Sequence, residues 1–473
     1  MAACSGCSDS NPTAPPDRGS PLIEVLFPTS VAVYDRDSNG LLDLEIAFSD
    51  SLSGIDVGSI EVLANRPIKG PAGQGANLIE VWRVQRADTT GFVLAETVDD
   101  LLPRGQTALT VAVRDRAGNR VSRTLTVDLP PAARHKVLDL GAVFKVNSSQ
   151  VTIGPDGTKA YVTTEEFGGS ALSIVDLEQM ELLSVVRSPI EALSETAVDE
   201  LRGLLYLVSI DEPLVAVFDL ASETFQAPIA TSDRGIGVAL SRQRDRLYVG
   251  LETVTGTSGA FISVIDLGAR REEEVFDLGV VSGPNPNLPM GMFELLLDPA
   301  ESRVFATTWP GAQAGLLVFD PDTGVLVQQV DLEPENPPRL GGALDIDRLN
   351  GEFIVTSVNI DGFGLLRVLS GSPSEVTRVS VIEQFLGLKD LAFSPDGQEL
   401  AITTNGPGDG THGTLLVDAG TLQVIWEDRF SGEIVSPQNV AFRPDGNVIL
   451  VTGGTFVGSF GPASSELTIY IHR

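Results

Sequence analysis

The residues whose types and spacing best suit chemistry lie in the stretch DRDSNGLLD, from Asp35 to Asp43. Asp35, Asp37, Asn39 and Asp43 are set around Gly40, and Leu41 offers its main-chain carbonyl. Calcium takes six to eight oxygens at close range, and alternating acidic or amide side chains about a tight glycine turn aim several of them at one point. The twelfth position of such a loop should carry a bidentate carboxylate, but Ile46 stands there, so the site would be weak or completed by Glu45, Asp50 or water. Asn39-Gly40 is equally the leading signal for a two-residue hairpin between SVAVY and LLDLEIAF, and both readings stand.

In its first nine positions the same stretch resembles calcium loops of the EF-hand and dockerin type. A second constellation comes from residues at equivalent places in a repeated segment: Gln150, Glu195, Gly237, Glu294, Ala343, Asp390 and Asn439. If these open the innermost strands of a ring, the carboxylates of Glu195, Glu294 and Asp390, with Asn439 and the adjoining Lys389, would face one channel and could hold a cation or a polyol. A water-filled polar channel mouth is the alternative. Nucleophilic chemistry is poorly provided for. The only histidines are His135, His412 and His472, too scattered in sequence to suggest a histidine metal site, and no GxSxG elbow occurs.

The only cysteines, Cys4 and Cys7, precede any folded segment, so no disulfide staples a core. Haem attachment would need a histidine after the second cysteine, where Ser8 stands. Met1-Ala2-Ala3-Cys4 resembles the end of a bacterial lipobox, in which Cys4 would receive the lipid, and residues 5 to 20 resemble the disordered tether that follows. A signal peptide needs a basic start and an apolar run, which three residues cannot supply. Either the true start lies upstream, or the cysteines are unpaired thiols in a tail.

The elements that would position these residues are all β. From Leu22 to about Leu129 the runs LIEVLF, LLDLEIAF, SIEVLA, LIEVWRVQ, TALTVAVRD and VSRTLTV alternate apolar and polar positions, the period of half-buried strands. Their spacing is that of a β-sandwich. The segments DSLSGIDVGSIEVLAN and VAVRDRAGNRVSRTLTV resemble bacterial Ig-like or fibronectin-like modules, a likeness that carries no enzymatic residues. Pro130-Pro131 ends the domain.

Beyond it one pattern recurs: PDGTKAYVTT, DELRGLLYLVS, RQRDRLYVGL, PAESRVFATT, DRLNGEFIVTS, PDGQELAITT and PDGNVILVTG. The anchors Tyr161, Tyr206, Tyr248, Phe305, Ile354, Ala401 and Leu450 are spaced by 42 to 57 residues, about one four-stranded blade. PDG-x-x-x-YVTT resembles the YVTN family of propeller repeats. That resemblance implies a propeller and leaves function open, since such propellers include surface-layer, lactonase-like and cofactor-bearing proteins. The last repeat lacks an outer strand, which HKVLDLG at 135 to 141 could supply.

A formal charge of −32, from 64 acidic and 32 basic residues, argues against nucleic acid as a partner, because phosphate binding needs clustered Lys and Arg. No apolar run is long enough for a membrane span. The expectation is an all-β chain: a tether over 1–20, an Ig-like β-sandwich over 21–131, and a seven-bladed β-propeller over 132–473 closed by its N-terminal strand. It would be an exported, monomeric lipoprotein of the bacterial cell envelope, outer-membrane or periplasmic, touching the membrane only through its anchor. Its glycine-rich loops, with Trp309, Phe363, Phe456 and Phe460 as anchors, would bind a protein or a glycan. Calcium in the Asp35 loop is the one cofactor expected, and haem is not. A lactonase-like or cofactor-dependent enzyme acting at the funnel is the alternative.

Overall fold

The computed structural model describes residues 17–31, 33–36, 40–66, 77–81, 86–94, 102, 104–143, 150–166, 169–251, 260–279, 292–308, 315–331, 340–346, 353–358, 363–372, 375–386, 388–405, 412–421, 423–429, 437–454 and 464–473. The chain divides into two units, one reaching to Ala133 and including Arg473, the other running from Arg134 to His472.

The first unit has two antiparallel sheets. One orders the strands Leu22–Phe27, Leu44–Ser49, Gly91–Leu94 and Arg86–Asp88; the other orders Ile55–Ala64, Gly105–Asp115 and Arg120–Leu129. Period-two patterning turns Leu44, Ile46 and Phe48 of the first sheet and Leu109, Val111 and Val113 of the second into one shared core. Two expectations fail here. LIEVWRVQ does not open as a strand: Leu78–Val81 is a single helical turn. Asn77 explains it, since its Oδ1 accepts the N–H groups of both Val62 (2.9 Å) and Ile79 (3.3 Å), capping the turn and tying it to the neighbouring strand, while Leu78 is fully buried. Nor does SVAVY form a hairpin with LLDLEIAF. Among the described residues Ser30 and Val33 form an isolated bridge, and Leu44–Ser49 has both its edges taken, by Leu22–Phe27 and by Gly91–Leu94.

The second unit is a succession of antiparallel meanders. In the sheets whose side chains are described, the second and third strands are buried almost throughout, as in Leu204–Ser209 and Leu214–Asp219, whereas the outer strand Glu181–Arg187 alternates exposed and half-buried residues. Neighbouring sheets pack face to face. Tyr206, Val208, Val215 and Val217 of one meet Leu247, Val249 and Ile265 of the next.

Two turn devices repeat. Between the first and second strands a left-handed residue recurs at Gly157, Gly203, Asp245, Glu301, Gly397 and Gly446. Where the third strand ends, an aspartate folds the next turn onto itself: Asp219 Oδ1 accepts from Ala221 (3.0 Å) and Ser222 (2.8 Å), and Asp176, Asp266, Asp320 and Asp418 do likewise. These aspartates are spent on backbone.

The innermost strands are Val151–Ile153, Leu193–Asp199, Gly235–Ser241, Met292–Leu297, Leu340–Ile346, Leu388–Phe393 and Val440–Phe442. Each lies beside the next in chain order, and Val440–Phe442 lies beside Val151–Ile153, so they close a ring. The strand Ala132–Val143 sits in the sheet order between Ser464–His472 and Lys159–Glu166, joining the start of this unit to its end. Arg134 on that strand pairs with Asp428 at 2.7 Å.

Candidate functional site

The ring of inner strands creates the site through a recurrent irregularity. Their pairing with the second strand slips between Leu193 and Thr196, Gly235 and Val238, Met292 and Leu295, Gly341 and Leu344, and Leu388 and Asp390. A bulge re-aims the residue it contains. Glu195, Gly237, Glu294 and Ala343 fall inside these bulges, and Asp390 ends one. The position expected to face the channel is therefore the position where the ladder is broken.

At three positions of the ring a threonine thirteen residues further along the chain takes up a main-chain N–H. Thr163, Thr403 and Thr452 accept through Oγ1 the main-chain N–H groups of Gln150 (2.8 Å), Asp390 (3.1 Å) and Asn439 (3.1 Å). The same spacing separates Glu294 from Thr307 and Ala343 from Thr356, although the Thr307 hydroxyl makes no such bond among the described residues. It was the signal in the sequence for this device, hidden inside YVTT.

Four of these positions link into one arc. Gln150 Nε2 donates to Glu195 Oε1, and Asn439 Nδ2 donates to Asp390 Oδ2. Asn439 Oδ1 accepts the N–H of Val151 (2.9 Å), and Asp390 Oδ2 also accepts the N–H of Val440 (2.8 Å). Four consecutive inner strands are thus laced by side chains at one end. The Thr152 and Thr196 hydroxyls bond to each other between two of them. Glu294 occupies the same register position on its own strand and is half-buried. Gln150 was expected only as a rim position; its amide fixing Glu195 is new.

The two carboxyls of the arc sit in an unusual field. Burial pushes Glu195 up to about 8, and the neighbouring Asp390 carboxylate adds to the rise, while the Gln150 N–H partly offsets it. Burial pushes Asp390 up to about 7 against the pull of the Val440 and Leu391 N–H groups. Glu195 keeps some accessible surface; Asp390 is 8% exposed. Lys389 does not answer them. Its side chain is exposed overall, yet surrounding protein desolvates the ammonium enough to lower it, and no carboxylate figures in that shift.

No family model matches the sequence, and no curated protein matches it. Solved structures do. Hydrazine synthase from Kuenenia stuttgartiensis is similar at 15% identity and a TM-score of 0.53, covering 65% of this chain and 92% of that one. The Cps50 (Swd1) β-propeller domain of Myceliophteria thermophila is similar at 12% identity and a TM-score of 0.52, covering 72% of this chain and 100% of that one. The chain carries a β-propeller. The arc from Glu195 to Asp390 then lies where inner strands of propeller sheets converge on the axis.

Other expected residues are not part of this arc. In the loop of the first unit, Asp35 Oδ2 accepts the Gly40 N–H and Asp43 Oδ2 accepts the Arg36 N–H, both at 2.7 Å. Asp43 and Leu41 are buried, while Asp37 and Asn39 fall outside the described residues. In the same unit the carboxylates of Asp17, Asp50 and Asp115 lie within 4.8 Å of one another, a grouping not foreseen in the sequence. Burial pushes Asp115 up, but the side-chain and main-chain N–H groups of Asn119 more than offset it, and Asp115 ends below the usual carboxylate range.

His472 is no ligand. Its ring nitrogens meet the Gly446 carbonyl and the Glu399 carboxylate, and its edge packs on Phe442. Cys4, Cys7, Trp309, Phe456 and Phe460 lie outside the described residues, as do the side chains of Phe363 and His412.

Proposed function

We propose that the chain is an exported, membrane-tethered binding protein in which an Ig-like module carries a seven-bladed propeller of the YVTN type, and that the axial arc takes a hydroxyl-rich ligand such as a glycan. One observation carries the reading: carboxyl and carboxamide side chains from four consecutive inner strands converge at the axis, held by bonds to one another. Such groups offer paired donors and acceptors to vicinal hydroxyls, and a rigid scaffold presents them without ordering cost.

What supports seven blades is the number of repeats together with the ring of inner strands and the place of Ala132–Val143 in the last sheet. Two facing sheets with the Asp115–Asn119 turn support the Ig-like reading. The tether and anchor rest on the sequence around Cys4. The partner class excludes nucleic acid on charge. Calcium in the loop from Asp35 to Asp43 belongs to the same proposal, supported by the inward bonds of Gly40 and Arg36.

The test is a glycan array probed with the full chain and with the E195Q/D390N variant. Binding to a defined glycan class that the variant loses supports the reading; equal binding by both overturns the axial site.

The second reading is a lactonase-like or cofactor-dependent enzyme at the same funnel. It is favoured by two buried carboxyls pushed toward neutrality, the range in which a general acid or base works best. Turnover of a sugar lactone that Glu195→Gln abolishes would decide for it.

A further inference from the structure

One sheet interface of the second unit departs from the others at a single pair of positions. At the end of the third strand three sheets carry leucine, and the N–H groups of Leu177, Leu220 and Leu267 donate to the carbonyls of Thr158 (2.8 Å), Gly203 (2.9 Å) and Asp245 (3.1 Å). In the last sheet the same bond, at 2.8 Å, runs from His472 to Asn447. The residue across the interface changes too. Leu204, which opens a second strand opposite Asp219, packs in one apolar cluster with Leu267 of the next sheet. Glu399 holds that place opposite Asp418, and its carboxylate meets the His472 ring. A titratable pair thus stands where another interface has two leucines.

Both members are 6% exposed. The acceptors around the ring fix its protons. Nδ1 lies against the Gly446 carbonyl, which can only accept, so Nδ1 carries hydrogen. Nε2 lies against an oxygen of Glu399, and an ionised carboxylate also only accepts, so Nε2 carries hydrogen as well. Other charged groups surround the pair. Asp396 stands on the turn before Glu399; burial pushes it up, but the Ser394 hydroxyl, the Gln398 N–H and the His472 ring together hold it below the usual range. On the turn that holds Gly446, Arg443 donates to Asp445 at 2.8 Å. On the adjoining strand Ala132–Val143, Arg134 is paired with Asp428, and His135 and Lys136 come next; Arg473 follows His472.

We infer that His472 is an imidazolium in the fold, and that this one buried proton seals the last sheet to the one before it. Removing the proton sets the Nε2 lone pair against those of the carboxylate, and repulsion replaces a charge-assisted bond. The unfolded chain gives the proton up near the ordinary histidine value of about 6.5, so the seal is fully present below that pH and is lost as pH rises. Ring closure is therefore sensitive to alkali at this interface and insensitive at its leucine counterpart. The device is independent of what binds at the axis.

The experiment is hydrogen exchange of the full chain read by mass spectrometry at about pH 6 and about pH 9, corrected for intrinsic rates. Peptides spanning 464–473 should lose protection about tenfold at the higher pH, while those spanning 204–219 keep theirs. E399L/H472L copies the pairing of Leu204 with Leu267 and should be insensitive at both. The melting temperature of wild type should fall relative to that variant as pH rises; the axial carboxyls are common to the two proteins and cancel. No loss at 464–473, an equal loss at both interfaces, or parallel melting curves overturn the inference. Imidazole nitrogen NMR of the wild type tests the ring without any variant. The histidine in contact with the Phe442 ring should be protonated on both nitrogens at about pH 7, and a bare nitrogen there overturns the inference.

Discussion

At the scale of single residues, the axial carboxyls set how stability depends on pH. Both are raised in the fold above their ordinary values of 4.5 and 3.8, to about 8 and about 7. Between pH 4 and 8 the folded protein holds protons that the unfolded chain has released, so this pair's contribution is fully present at low pH and is lost as pH rises through the folded values. In EDTA, the melting temperature of wild type should fall relative to E195Q/D390N as pH goes from 5 to 8.5, with the variant a few degrees higher at the alkaline end. Parallel curves would show that the pair is not buried as charged groups.

The turn aspartates act in the opposite sense. The N–H of Ser222 holds Asp219 below the usual range, so its support is present above pH 4 and fades with acid. The inner threonines offer a cleaner test. Thr452→Val removes the acceptor of the Asn439 N–H at constant shape and should cost about 1–2 kcal/mol in urea unfolding. Thr307→Val should be nearly neutral, because the Thr307 hydroxyl has no hydrogen-bond partner among the described residues. These roles were half legible in sequence. Aligning the repeats named Glu195, Asp390 and Asn439, but bonds between strands some 45 to 50 residues apart leave no local pattern, so Gln150 stood as a bare rim position.

At the scale of elements, the strand Ala132–Val143 and the end of Ser464–His472 carry the seam of the ring. Deleting residues 135 to 141 strips the partner of Ser464–His472 and should lower the melting temperature of the propeller by ten degrees or more; an unchanged value would contradict the pairing. His472→Ala removes the imidazole that pairs with the buried Glu399 carboxylate and should cost about 3 kcal/mol. Strands were readable where period and turn agreed, as in PDGTKAYVTT, whose Gly157 takes the left-handed conformation that the turn demands. They misled where tertiary bonds overrode the period. LIEVWRVQ alternates well enough for a strand, yet Asn77 bonds across to Val62 and the chain bends into a helical turn. SVAVY lost its hairpin because Leu22–Phe27 and Gly91–Leu94 occupy both edges of Leu44–Ser49.

At the scale of the whole molecule, the surplus of 32 negative charges is a repulsion that folding concentrates. Raising sodium chloride from 20 to 300 mM should therefore raise the melting temperature, despite screening exposed pairs such as Arg120–Glu61 and Arg242–Glu200 that are each worth little. A fall on adding salt would mean that the ion pairs outweigh the net charge. The sheet holding Ala132–Val143 has a further consequence, for biosynthesis. Two of its neighbouring strands lie more than 300 residues apart along the chain. During translation the early strand waits, its edge exposed, until Ser464–His472 leaves the ribosome, and the other described sheets are complete before it. The vulnerable interval for aggregation is that wait, and it ends only when the final strand arrives.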